Sequence, residues 1–249
     1  MSLAAALILL LAGLAVGATS IGGILVVPVL TELSAVPIQA AIAASSCAFL
    51  FTGVAAVGLQ AMTSRTARSN APLPLRLYVA ALAGAAIGAL TLAWLPSVMM
   101  RAVIAALALV SGLMTLYGTA PAAPADARAQ PMPAAWSVAM GLAVGCASAW
   151  SGTGGPLVLL PILMLARAPT LASIEMAQGI QLPIAIAATT VNTANGTLDL
   201  RLGLLLSGLL LAGWGIGRML ARHLPVAVLR RLVACGITAV GLWYGWQLI

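Results

Sequence analysis

Two short stretches of this 249-residue chain hold residue types that could grip a ligand. The first is Thr19-Ser20-Ile21-Gly22-Gly23; the second is Ser151-Gly152-Thr153-Gly154-Gly155, preceded by Trp150. Each breaks a long apolar run, and each is followed by a second apolar run holding a proline, Pro28 or Pro161. Glycine permits positive φ and close approach of the backbone. Pro156 stands where a returning helix would begin, a position at which its missing N–H costs nothing. The half-helices after the breaks, near residues 24–31 and 156–164, would then present unpaired N–H groups and a partial positive charge. Such an end attracts an anion without a buried cation. Close helix packing is the competing use of Gly/Ser/Thr clusters in apolar helices.

The segment after the second break adds polar residues at helical spacing. Glu175, Gln178, Gln181, Thr189 and Asn192 fall near one face, with a possible bend at Pro183. The counterpart after the first break is thinner: Gln39, Ser45, Ser46 and Thr52. Amides and hydroxyls donate to oxyanions without carrying fixed charge. Interhelical hydrogen bonding is the alternative role. Glu175 continues the stripe and is the candidate for proton coupling; Glu32 and Asp199 lie at segment ends, as does His223 beside Arg222. Trp150 adjoins the second break and is expected to wall the cavity, while Trp94, Trp136, Trp214, Trp243 and Trp246 lie toward segment ends as interface anchors or packing residues.

These elements sit in a chain that is 63% hydrophobic and only 6% charged, against about 25% charged in soluble domains. Apolar runs of roughly 20 residues recur throughout, which predicts an all-α polytopic membrane protein. The first run begins at Leu3 without a basic leader and reads as a mature membrane segment. The net charge of +7 comes from arginine alone, placed between apolar runs where it sets topology; nucleic acid is not an expected partner. Cys47, Cys146 and Cys235 are far apart and read as packing residues. No metal-ligand set, P-loop or nucleophile–base pair is present in the sequence, so neither a cofactor nor an enzymatic activity is expected.

The chain is duplicated. Gly13 and Gly17 recur as Gly141 and Gly145, and Gly84, Gly88, Pro96 and Arg101 recur as Gly213, Gly217, Pro225 and Arg230. We place repeat 1 at residues 1–118, a Pro/Ala-rich linker at 119–134 and repeat 2 at 135–249. Each repeat holds four apolar segments: 3–31, 36–60, 73–94 and 97–117, then 135–165, 171–195, 200–221 and 226–248. The first segment of each is too long for one ordinary span, so it is either a re-entrant hairpin or a broken spanning helix. With hairpins, Arg65, Arg68, Arg76, Arg128, Arg167, Arg218, Arg222, Arg230 and Arg231 share one face, and only Arg101 and Arg201 lie on the other. The positive-inside rule favours this lopsided arrangement. Three crossings per repeat then make the repeats inverted.

Taken together, Ser20–Leu30, Gly152–Leu163 and the glycine-rich segments ending at Pro96 and Pro225 resemble the TauE/SafE sulfite exporter family, also called the 4-toluene sulfonate uptake permease family. The first copy carries only Gly22-Gly23 where the family often has a further glycine. The resemblance implies a transporter of sulfite, sulfonates or sulfoacetate-like organosulfonates in the bacterial inner membrane, with Gly22, Gly23, Gly154 and Gly155 and their Ser/Thr neighbours at the site. The expected site is Thr19, Ser20, Gly22, Gly23, Ser46, Trp150, Ser151, Gly152, Thr153, Gly154, Gly155, Gln178, Gln181 and Asn192, at the midplane. The expected partners are a small anion and the lipid bilayer, with a homodimer left open. A passive anion channel and a non-transporting membrane scaffold subunit are the alternatives.

Overall fold

The computed structural model describes residues 2–63, 75–117, 133–165, 170–221 and 226–248. The expected linker lies outside them except for Pro133 and Ala134, as do Arg65, Arg68, Arg128, Arg167, Arg222 and His223; the side chains of Glu175 and Arg230 are likewise outside the description. Among the described residues there are ten α-helices and no strand. The first half of the chain supplies α1 (Leu3–Thr19), α2 (Val26–Ser34), α3 (Ile38–Thr63), α4 (Leu75–Thr91) and α5 (Ser97–Tyr117). The second half supplies α6 (Ala134–Ser151), α7 (Pro156–Leu165), α8 (Thr170–Ala194), α9 (Leu200–Leu220) and α10 (Val226–Trp246). Among the described residues, five stretches are long and apolar enough to cross a membrane: Ile38–Leu59, Leu75–Trp94, Ser97–Tyr117, Ala134–Ser151 and Leu200–Leu220. The chain is a multi-pass membrane protein.

Local chemistry explains where the helices begin and end. Ser2 caps α1 by accepting the N–H of Ala5, and Asp199 caps α9 by accepting the N–H groups of Arg201 and Leu202. Asp199 is thus a capping carboxylate at a helix end. Each first apolar segment divides in two, as its glycines predict. Gly22 already packs against Ala15 and Ala12, so the chain has turned back along α1 within three residues of its end. A 3₁₀ turn, Gly23–Leu25, then leads into α2. Pro161 and Pro183 both lie inside helices, α7 and α8, which continue through them.

Four glycine pairs with a one-turn spacing build the helix packing. Gly13 lies on Leu210 and Gly17 on Trp214, while Gly213 lies on Leu10 and Gly217 on Leu14. A step of one turn along α1 is matched by a step of one turn along α9 in the same direction, so α1 and α9 run parallel. The same holds for α4 and α6, where Gly84 meets Leu142 and Gly88 meets Cys146, while Gly141 meets Leu77 and Gly145 meets Ala81 and Ala85. In apolar surroundings, helix association depends on close van der Waals contact, which glycine at this spacing allows. The remaining pair is opposite in sense. Gly112 of α5 lies on Ala234 and Thr238, and Gly241 of α10 lies on Leu109 and Ala108, so those helices run antiparallel. The tip-bearing helix of each repeat is therefore packed against the other repeat.

Large aromatic side chains mark the helix ends: Trp94 is 82% and Trp246 76% exposed, as suits side chains at a lipid–water boundary. Trp214 differs, because its backbone receives Gly17 and the Arg218 guanidinium sits over its ring. A methyl group on Gly17 would strike the Trp214 carbonyl, and overpacking of this kind costs about 1–3 kcal/mol. Gly17→Ala is expected to unfold at a lower temperature than wild type in a tryptophan-fluorescence melt. Gly215→Ala, which faces open space, is expected to melt at or above the wild-type temperature.

Candidate functional site

The first tip begins where α1 ends. Ser20 adopts the left-handed conformation (φ 60°) and its N–H returns to the Val16 carbonyl; Gly22 follows at φ 140°. The Thr19 hydroxyl donates to the Ala15 carbonyl (2.8 Å). The second tip begins where α6 ends. Gly152 (φ 65°), Gly154 (φ 78°) and Gly155 (φ 101°) all need glycine's freedom. The Gly152 N–H returns to the Ser148 carbonyl (2.8 Å), and Ser151 and Thr153 share a hydroxyl–hydroxyl bond (2.9 Å). The N–H groups of Gly22, Gly23, Gly154 and Gly155 have no acceptor among the described residues. These donors lie in the tips themselves, at the entry to the 3₁₀ turn that leads into α2 and just ahead of α7.

Each tip is held by the second long helix of the other repeat. Gln178 of α8 donates to the Ser20 hydroxyl (2.7 Å), and Ser45 of α3 donates to the Gly152 carbonyl (3.0 Å). Gln181 of α8 uses both hydrogens of its amide, donating to the Phe49 carbonyl (3.0 Å) and the Thr52 hydroxyl (2.9 Å) of α3. These neutral contacts satisfy polar groups that would be costly to leave bare in an apolar interior. Phe49 stands about 16 Å along α3 from Ile38, and Gln181 about 16 Å along α8 from Thr170. That is roughly half the ~30 Å depth of a bilayer's hydrocarbon core.

The two tips meet. A side chain on Gly23 would begin 3.0 Å from the Thr153 carbonyl and 2.6 Å from the Phe49 ring; one on Gly154 would begin 3.0 Å from the same ring. Phe49, 1% exposed, is wedged between them. Gly155 is closed off by Ile180 and Ile184. In this conformation the space between the tips is occupied by protein.

The sequence-predicted residues divide into two groups. Thr19, Ser20, Gly22, Gly23, Ser151, Gly152, Thr153, Gly154, Gly155, Gln178 and Gln181 are brought together at the tips or against them. Three others make their hydrogen bonds outside the tip segments. Ser46 is buried on α3 but returns its hydroxyl proton to the Ile42 carbonyl (3.0 Å). Trp150 turns toward α4 and donates to the Thr91 hydroxyl (3.0 Å), so it lines the α4–α6 contact. Asn192 sits at the far end of α8, about 16 Å along the axis from Gln181. There its backbone carbonyl takes both the N–H (3.0 Å) and the hydroxyl (3.0 Å) of Thr197. Of Glu175 only the backbone is described, early in α8. Ser45, Phe49, Thr52 and Ser148 were not expected. Ser45 and Thr52 are ordinary members of the α3 polar stripe, and Phe49 is one apolar residue among many.

Among the described residues, the arrangement offers only neutral donors at depth. Among the described residues no His, Cys, Asp or Glu cluster could hold a metal ion. No curated protein and no solved structure matches the chain. A family model does match, described as Sulfite exporter TauE/SafE, and it spans residues 5–244, nearly the whole chain. With paired glycine tips at helix breaks in both halves of a multi-pass membrane protein, the chain belongs to the TauE/SafE sulfite exporter family of membrane transporters.

Proposed function

We propose that this protein is a secondary transporter of a small sulfur-containing anion, a sulfite or an organosulfonate, in the bacterial inner membrane. The observation that carries the reading is the convergence of two glycine tips at mid-depth, with four backbone N–H groups lacking acceptors among the described residues. Helix N-termini and neutral amides hold an oxyanion in a low-dielectric setting without a buried cation to neutralise it. Substrate enters between the tips, with Gln178 and Gln181 on one side. The wedged Phe49 ring speaks against a permanently open channel and for a closed state that must rearrange during the cycle.

The repeats act as inverted halves. If each first segment crossed the membrane fully, four crossings per repeat would leave α5 and α10 running the same way. Three crossings per repeat, with re-entrant first segments, make them run oppositely. The antiparallel contact of α5 with α10 and the return of Gly22 along α1 support the second arrangement. On this reading Arg76, Arg218 and Arg231 face the cytoplasm, whereas Arg101 and Arg201 face outward, in keeping with the positive-inside rule. Alternating access then rocks one half against the other around the tips.

Purified protein in liposomes is expected to take up labelled sulfite or methanesulfonate with saturating kinetics. Gly154→Leu and Gln181→Leu are each expected to reduce that uptake at least about tenfold at unchanged expression; full activity in both would remove the tips from the mechanism. Phe49→Ala is expected to open a leak, seen as anion flux that no longer saturates. Single cysteines at positions 76 and 201, in a variant without Cys47, Cys146 and Cys235, should react with membrane-impermeant maleimide from opposite faces. Labelling of both from the same face would contradict the inverted arrangement.

A further inference from the structure

The two tips are not chemically equivalent. The first is closed upon its neighbours: Ser20 accepts the Gln178 amide at 2.7 Å, and Thr19 is bonded back into α1. The second contains three glycines at positive φ, and beside it stands a buried hydroxyl with no hydrogen-bond partner, that of Ser148. Ser148 is 1% exposed. The buried serines Ser46, Ser151 and Ser207 return their proton to the carbonyl four residues back; Ser148 does not, and neither does Ser111 on α5, which lies away from either tip. Its oxygen lies 3.8 Å from the point where a side chain on Gly155 would begin, at the N-terminus of the ten-residue α7. Leaving a buried hydroxyl unpaired is costly, and such groups in native structures call for an explanation.

We propose that the transported anion is held at the second tip, by the Ser148 hydroxyl together with the N–H groups of Gly154 and Gly155, and that the first tip is a structural clamp. This rests on the transport reading above and replaces a symmetric cradle by a one-sided one. Two backbone donors and one hydroxyl supply three neutral hydrogen bonds to one oxyanion group. Ile180 and Ile184 border the same glycine and bring no charge. Neutral donors beside an apolar wall suit a singly charged oxyanion such as a sulfonate better than a dianion such as sulfate, because the cost of burying charge rises steeply with its magnitude. In the present conformation the Phe49 ring covers Gly154 on its other side, so release of the anion toward the first tip requires that ring to move.

The test uses the full chain in detergent, titrated calorimetrically with methanesulfonate and with sulfate, alongside melting curves. Wild type is expected to bind methanesulfonate more tightly than sulfate. Ser148→Ala is expected to weaken methanesulfonate binding about tenfold with no loss of melting temperature. Ser148→Cys, similar in size with a weak donor, should fall between the two. Ser20→Ala is expected to lower the melting temperature and leave the affinity within about twofold. Wild-type affinity in Ser148→Ala, or equal losses of affinity in Ser148→Ala and Ser20→Ala, would overturn the one-sided site while leaving the transport reading intact. Absence of any saturable binding or liposome uptake by the wild type would overturn both.

Discussion

Backbone polar groups cannot be left bare in hydrocarbon, and the rest of this structure follows from that constraint. A helix broken at mid-depth exposes N–H and C=O groups with no water to receive them. Each break here is met by side chains from the opposite repeat, Gln178 for the first and Ser45 for the second. Among the described residues, what stays unpaired at the tips is small: the N–H groups of Gly22, Gly23, Gly154 and Gly155 and, beside the second tip, the Ser148 hydroxyl. On the transport reading proposed above, this residual set of donors is what an electron-rich guest would meet, and it arises from incomplete repair of a broken helix.

The same constraint accounts for the exchange of partners between the repeats. The helix that carries a tip must be fixed closely enough to hold the tip in place. α1 is fixed to α9 and α6 to α4, each through paired glycines whose missing side chains let backbones touch. Both tip helices are thereby held by the half of the molecule to which they do not belong. In the proposed transport cycle, a movement of one half against the other could not leave the tips unchanged. The wedge of Phe49 between Gly23 and Gly154 gives that movement something to open.

Much of the architecture was legible beforehand. The eight apolar segments, their boundaries to within a few residues and the two breaks all appear as helices and turns, because the hydrocarbon environment demands long apolar runs and glycine marks where they stop. The glycine pairs at one-turn spacing were visible too, but only as signs of duplication. Their role as contact surfaces needed the knowledge of which helix faces which. The polar stripe of α8 was read as one surface, yet its members part company: Gln178 reaches the first tip, Gln181 reaches Phe49 and Thr52 of α3, and Asn192 lies far along the axis and joins a turn with Thr197. Trp150 was placed by its neighbourhood in sequence, but one residue is about 100° of helix rotation, enough to aim it at Thr91.

Composition, periodicity and repetition by themselves determined that the chain is a duplicated bundle of membrane helices with two interrupted segments, since these properties are written in the local order of residues. Tertiary packing decided what occupies the space between the interruptions, which repeat supports which tip, and that Ser148 is left without a partner. Those outcomes depend on contacts between residues more than a hundred positions apart, and on the rotation of each helix about its axis. A difference of a fraction of a turn there moves a side chain from a cavity to a lipid-facing surface.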